Sequence, residues 1–430
     1  MNAGVATRVS AARVLDEVLH RGRSLKATLA TALPALADPR DRAMVEAIVF
    51  TALRQRARFD TALMQWLDKP PSMKDGELRA LLYVGFAQWE LGMPAHALVA
   101  TTVDATRALG RPHQAGMVNA ILRRVQRDGL PVLADEAAWP PWLAQQVRHD
   151  WPAEAEAIFA ASAQAASMWL RVNRLQASRD TYLQELHEAG IEAGISDALA
   201  DAIRLATPMP VHELHGFDAG MVSVQDAAAQ RVADALFQDA PMPGQRLLDA
   251  CAAPGGKTAH LLERDPSLRV TALDIDARRV RRMQDTFRRL GLQVDSRVAD
   301  AAQPASWWDG ALFDAILVDA PCSATGIVRR QPDVLLHRRQ TDIATLNTIQ
   351  SNLLDALWPL LTSGGRLLYA TCSILRAENA AQVESFLART LDAVLEPLDA
   401  SFGHDTGFGS QRLPGEGGMD GFFYARLSKV

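Results

Sequence analysis

Residues 245–264 read QRLLDACAAPGGKTAHLLER: a short apolar run, a glycine-containing turn, then an amphipathic stretch. That succession predicts a strand running straight into a helix. Gly255 and Gly256 let the backbone approach a ligand closely where the helix opens, and the first turn of a helix offers free N–H groups to it. The tail GKT invites a phosphate-loop reading, but the first glycine of such a loop would fall at position 251, which is Cys251. The dinucleotide pattern G-x-G-x-x-G is missing as well. A nucleotide-like ligand without a triphosphate fits this turn better.

Downstream the same alternation recurs. RVTALDID precedes ARRVRRMQDTFRRL, FDAILVDAP precedes IQSNLLDALWPLL, and GRLLYATCS precedes ENAAQVESFLART. Strands alternating with helices predict βαβ units in a doubly wound parallel sheet, where ligands bind beyond the carboxyl ends of the strands. The chemistry is therefore expected just after each apolar run. Asp274 closes the second run, 25 residues after Asp249, and is placed to accept hydrogen bonds from both hydroxyls of a ribose. Asp276 is read as the N-cap of the following helix. Asp300, in RVADA, stands where an adenine amino group would lie, with a cap or turn role as the competing reading. The next runs end in Asp319-Ala320-Pro321-Cys322 and Thr371-Cys372-Ser373. Two thiols and a carboxylate are thus expected on one ligand edge.

Upstream the period changes to three and four. AARVLDEVLH, MVEAIVFTALRQR, LRALLYVGFAQWEL and GMVNAILRRVQR predict helices through residue 130, punctuated by Pro94, Gly110, Pro112 and Gly129. An all-helical bundle follows. Residues 130–145 read as a proline-containing linker, and 145–220, with MWLRVN and MVSV, as a small α+β connector. The expected division is a helical domain over 1–135, linker and connector over 136–222, and a catalytic domain over 223–430. The charge is uneven. Residues 1–130 carry 18 Lys and Arg against 12 Asp and Glu, and the remainder 27 against 38. A basic front half suits a polyanion partner, and it equally suits a solvated helical surface.

The 430 residues are 48% hydrophobic and 22% charged, enough for two or three ordinary cores. No run of 18 apolar residues occurs, and the N-terminal stretch is amphipathic, without the apolar core of a signal peptide, so a cytoplasmic protein is expected. The three cysteines, Cys251, Cys322 and Cys372, form no C-x-x-C pair, so neither zinc nor a disulfide framework is expected. Each ends an apolar run beside small or turn-forming residues, a placement that suits reactive thiols better than packing groups.

DACAAPGGKT, LDID, VADA, DAPCSATG and YATCS, in this order, resemble the successive motifs of the NOL1/NOP2/sun family of RNA cytosine-5 methyltransferases. SVQDAAAQ at 223–230 and LPGEGGMDGFFYARL at 413–427 resemble its flanking segments. The helical region with GMVNAILRR resembles a NusB-type RNA-binding domain, which marks the branch acting on 16S rRNA. Arg376, in SILRAEN, stands where relatives are expected to have proline. The resemblance covers essentially the whole chain. It implies a Rossmann-like methyltransferase domain using S-adenosylmethionine. Cys251, Ala252, Ala253, Pro254, Gly255, Gly256, Lys257, Asp274, Asp300 and Asp319 would hold this donor. Cys372 would be the nucleophile, Cys322 would assist its release, and Asp319 would act on the base.

Carbon 5 of cytosine is a poor nucleophile until a thiolate adds to carbon 6 and makes the ring an enamine. The attacking thiol is therefore expected to have a lowered pKa or a base nearby. Asp319, if protonated, would donate to N3, with Lys257 holding that edge or the carboxylate. Spacing does not rank the two thiols; only the resemblance does. The expected partner is 16S rRNA, free or in an assembling small subunit, at the position numbered 967 in the standard scheme, with a monomeric enzyme and no metal. The same chemistry on tRNA or 23S rRNA, and a non-catalytic RNA-binding role, are the alternatives. Arg54, Arg56, Arg58, Arg123 and Arg124, and Arg278, Arg279, Arg281 and Arg282, are candidates for phosphate contact or for solvated helix faces.

Overall fold

The computed structural model describes residues 3–196, 198–237 and 244–430. The chain forms two compact units, one of 1–165 with 328–338, the other of 166–327 with 339–430.

The first unit contains helices α1 (Ala3–Arg21), α2 (Leu25–Ala32), α3 (Pro39–Arg54), α4 (Arg56–Trp66), α5 (Gly76–Glu90), α6 (Ala95–Ala108), α7 (Ala115–Asp128), α8 (Pro141–Asp150) and α9 (Ala155–Ser162). The starts follow from capping. Ser24 accepts from the Ala27 N–H, and Asp38 from the Arg40 N–H just ahead of Pro39. Gly129 closes α7 at φ +71, a conformation few other residues adopt. The helices bury one face each; α5, at the centre, buries nearly all of its length. Phe59, Tyr83 and Phe86 meet edge to face inside.

The proline-containing stretch 130–145 packs within the first unit. Trp139 is buried against Phe159, and Pro141 occupies the first helical position of α8, where a missing N–H costs nothing.

The second unit opens with a four-stranded antiparallel sheet, β1 (Met168–Val172), β2 (Ala193–Ile195), β3 (Ala202–Leu205) and β4 (Val222–Val224), in the order β2-β3-β1-β4, with α10 (Arg179–Glu188) against it. This is the α+β connector.

Next come α11 (Ala227–Phe237), β5 (Arg246–Asp249), α12 (Gly256–Arg264), β6 (Arg269–Asp274), α13 (Ala277–Leu290), β7 (Asp295–Val298) and β8 (Phe313–Asp319). The short helix α14 (Val334–His337) belongs to the first unit. The chain then adds α15 (Gln340–Leu357), β9 (Leu361–Thr371), α16 (Ala380–Arg389), β10 (Ala393–Glu396), β11 (His404–Asp405), β12 (Ser410–Arg412) and β13 (Phe422–Lys429).

These strands make one large sheet, ordered β11-β12-β13-β9-β8-β5-β6-β7, with β10 on β13. Strands β5 to β9 are parallel, as the alternation predicted, but β10 to β13 are antiparallel, so the sheet is mixed. The nine residues between β12 and β13 are too few for a helical crossover, so the chain turns back on itself. Strand order reverses at β5, whose neighbours are β6 and β8, and a crevice opens beyond the strand ends there. Helix α13 shows how the sequence seats itself. Val280, Met283, Phe287 and Leu290 bury one stripe while Arg278, Arg279, Arg281 and Arg282 face solvent.

Candidate active site

The crevice holds a cavity of about 340 Å³. Asp274 and Asp300 supply carboxylates to its lining, and Ile275, Ala301 and Leu353 supply apolar wall. Two acceptors set in an apolar slot suit a nucleoside: hydroxyls and an amino group at the acceptors, the base against the apolar wall. Asp274 is buried, accepts from the Asp276 N–H at 3.0 Å and lies 3.1 Å from the Arg279 guanidinium. Asp276 is the N-cap of α13, as read. Asp300 accepts from the Ala302 N–H at 3.0 Å and from Gln303 at 2.9 Å, so it makes the turn and lines the cavity at once. Ile349, Asn352 and Leu353, from α15, are wall residues that the sequence reading missed.

Cys251 also lines this cavity. Burial, then the neighbouring Asp319, Asp249 and Asp274, push its thiol far up, so it is a wall rather than the reactive group its placement suggested. Asp249, at the end of β5, is buried and accepts from Thr258 Oγ1 at 2.6 Å. Burial pushes it up to about 7 against that hydrogen bond.

Ala252, Ala253 and Pro254 form the turn into α12, which Gly255 caps at φ +94. A methyl group at Gly255 would meet Met283 and Phe287 at 2.9 Å. Strain and overpacking therefore act together. Gly255→Ala is expected to lose about 3 kcal/mol of stability, read as a lower urea midpoint at unchanged slope. The carbonyl of Gly256 accepts from Arg171, whose guanidinium also forms a two-pronged pair with Glu263 at 2.7 and 2.8 Å. Both side chains are 1% exposed.

Lys257 is not among the residues that line the nucleoside cavity. Its Nζ donates to Asp319 Oδ2 at 2.6 Å and lies 5.2 Å from the ring centre of Phe422. Burial would pull the amine down, but Asp319 and, after it, the Cys372 sulfur outweigh this and hold it above its ordinary value. One oxygen of Asp319 is thus engaged as an acceptor from Lys257.

The two thiols converge. Cys322 Sγ and Cys372 Sγ are 3.4 Å apart. Cys372, then burial, then Glu378 push the Cys322 thiol well above its ordinary value. Glu378 is a residue the sequence reading did not single out. It is wholly buried and accepts from the Ser323 N–H at 2.7 Å, Ser323 Oγ at 2.5 Å and Ser373 Oγ at 2.6 Å. Each serine directly follows one of the thiols, so a single carboxylate clamps both cysteine turns. The only signal was a Glu six residues past Cys372, in SILRAEN.

Of the arginines proposed for phosphate contact, several are engaged within the first unit. Arg54 donates to the Arg329 carbonyl, Arg56 pairs with Asp60, and Arg58 binds the Pro131 carbonyl and Glu90. Arg124 pairs with Asp128 and covers Trp66, while Arg123 is exposed and reaches Asn119.

Residues 237–428 match the family described as 16S rRNA methyltransferase RsmB/F, residues 139–212 its ferredoxin-like domain, and residues 5–127 the NusB family. A Ribosomal RNA small subunit methyltransferase B of Xanthomonas campestris is 58% identical over 431 residues, covering 100% of this chain and 98% of that protein. The chain belongs to the RsmB/F family. A protein of the same description from Pseudomonas putida is 45% identical over 432 residues, covering 98% of each. The RsmB/F architecture also appears in the crystal structure of PH0851, with a TM-score of 0.82 and 25% identity over 98% of this chain and 99% of that one. NSun6 from Pyrococcus horikoshii shares the fold at a TM-score of 0.60 and 22% identity over 68% of this chain and 98% of that one. The RsmB/F assignment agrees with the observed order of helical region, connector and mixed α/β domain. Among the described residues, no helix is long and apolar enough to cross a membrane.

Proposed function

We infer that this protein is a 16S rRNA (cytosine-C5)-methyltransferase that works through a covalent bond between Cys372 and carbon 6 of the target base. S-adenosylmethionine is the methyl donor and supplies a methyl group on a positively charged sulfur. Asp274 and Asp300 would hold its nucleoside, with the turn from Cys251 to Lys257 and Asp319 bordering the rest.

The observation that carries the division of labour is electrostatic. Cys372 has the Lys257 ammonium among its neighbours, whereas Cys322 has the Glu378 carboxylate. The ammonium beside Cys372 supports it as the attacking sulfur. Cys372 therefore attacks carbon 6. Asp319, held by Lys257, accepts from the amino edge of the base, and Lys257 offsets charge that builds up there. Methyl transfer to carbon 5 leaves a proton on that carbon. That proton passes to a water, or to Cys322 once its own proton has been lost to solvent; the carbon 5–hydrogen electron pair re-forms the ring double bond, and the Cys372–carbon 6 bond breaks with its electrons leaving on the Cys372 sulfur.

The reading extends to one cytosine, position 967 in standard 16S numbering, to a substrate that is free rRNA or an assembling subunit, and to a cytoplasmic monomer. It also takes the functional division to be 1–135 for RNA capture, 136–222 as connector and 223–430 for chemistry. The test is bisulfite mapping of 16S rRNA from cells with and without the gene, with purified 23S rRNA and tRNA as controls. One protected cytosine in 16S that disappears with the gene is expected. Protection confined to 23S rRNA or tRNA would move the substrate.

A further inference from the structure

A second polar pocket lies in the catalytic unit, away from the nucleoside cavity. It is a shallow depression lined by Arg231, Ser401, His404, Arg412, Glu416 and Met419 among others. Arg231 stands on α11 and Arg412 ends β12. Arg231 is 3% exposed, and its guanidinium lies over the Phe402 ring, 4.1 Å from the centre. It donates to neutral oxygens, the Ala198 carbonyl at 3.1 Å and Ser401 Oγ. Arg412 donates to the Ser401 carbonyl.

Among the described residues, neither guanidinium forms an ion pair with a carboxylate, and the Nε–H of each is buried without a hydrogen-bond partner. The carboxylate in the depression, Glu416, is already taken by His404 at 2.6 Å and the Leu413 N–H at 2.9 Å. Burial pulls the Arg231 guanidinium below its ordinary value; Tyr424, Asp234 and Asp399 oppose this, and Arg412 adds to it. Two like charges have thus been brought together, one of them desolvated, with no counter-charge bound to either. Such an arrangement is costly on its own and favourable around an anion, which a planar guanidinium fork grips through two oxygens.

The register says which anion. Arg412 pairs with Phe422 across β12 and β13, and Phe423 pairs with Thr371 across β13 and β9. One step beyond that second pair lie Phe422 and Cys372, so Arg412 ends two strand spacings, about 10 Å, from the strand end that carries Cys372. Strands β9 and β12 run the same way, both opposed to β13, so both ends lie on one edge of the sheet.

We propose that Arg231 and Arg412 form a phosphate-binding site for the RNA backbone next to the target cytosine. This rests on the RNA methyltransferase reading and adds a positioning contact to it. The site fixes the strand so that the extruded base meets Cys372, and it reads no sequence. It predicts a KM effect without a kcat effect.

The test is Arg412→Gln in the full-length protein, with a deproteinised 16S rRNA fragment spanning the target as probe. RNA affinity is expected to fall about tenfold at low salt. The slope of log affinity against log salt should become shallower by about 1. KM for RNA should rise with kcat nearly unchanged, and calorimetric S-adenosylmethionine affinity should stay the same. Arg412→Lys, which keeps the charge, should restore most of the slope. Unchanged affinity and slope in Arg412→Gln would overturn the site. So would equal losses in Gln and Lys variants with a lowered melting temperature, which mark a packing role. Wild-type protein measured alongside separates the two readings: no methyl transfer to any RNA by the wild type overturns both.

Discussion

Cys372→Ala is expected to lose at least about 10³-fold in methyl transfer and to leave no RNA adduct on a denaturing gel. Removing the sulfur removes the only route by which carbon 5 becomes nucleophilic. The remaining donor and base sites cannot replace it. Cys322→Ala should behave in the opposite way. Cys372 Sγ still attacks, but the thiol 3.4 Å away is gone. The step after methyl transfer then stalls, and a covalent enzyme–RNA band should accumulate when S-adenosylmethionine is supplied. Multiple-turnover rates fall while a first-turnover burst of methylated, protein-bound RNA survives. An adduct in Cys372→Ala, with none in Cys322→Ala, would exchange the two roles. Both variants should keep wild-type affinity for S-adenosylmethionine in calorimetry, because neither thiol lines the nucleoside cavity.

The second large effect is on stability. Arg171→Ala leaves the Glu263 carboxylate buried and unpaired, and it also releases the Gly256 carbonyl at the start of α12. The expected loss is about 3–5 kcal/mol, measured by urea unfolding followed through tryptophan fluorescence. Replacing both partners by apolar groups, Arg171→Met with Glu263→Leu, should cost less than the single change, because no charge is then stranded. If Arg171→Ala costs under about 1 kcal/mol, the pair is hydrated in solution and does not anchor the turn. Donor affinity should fall with the loss, since the Cys251–Lys257 turn leads directly into α12.

Much of this site was legible as letters at strand ends. Asp274, Asp300, Asp319, Cys322 and Cys372 could be placed because a period-2 run fixes where a strand stops, and a parallel sheet gathers those stops on one edge. The cap role of Asp276 was legible for the same reason. What could not be read was whatever depends on the third dimension. Glu378 carries no periodic signal; its value comes from standing under two turns about fifty residues apart in the chain. The antiparallel strands after α16 were hidden because FFYARLSK reads the same in either direction of pairing. The arginines of LRQRARFD read equally as phosphate contacts or as solvated surface; the partners of Arg54 and Arg58, namely Arg329, Pro131 and Glu90, lie far away in sequence.

The excursion of residues 328–338 also left no trace in the letters. Six residues after Cys322 the backbone leaves the catalytic unit, and it returns only at Arg339. While away it is tied down: Asp333 accepts from the Leu25 N–H at 2.9 Å, Arg329 donates to the Ala165 carbonyl, and Leu336 packs on the helical core. The chain therefore passes between the two units three times. A catalytic half cut free at Ala165 would dangle an eleven-residue loop whose moorings had gone with the other piece. An exchange of the helical half would have to bring residues 328–338 along with it, because their partners Leu25, Arg54 and Ala165 lie in that half.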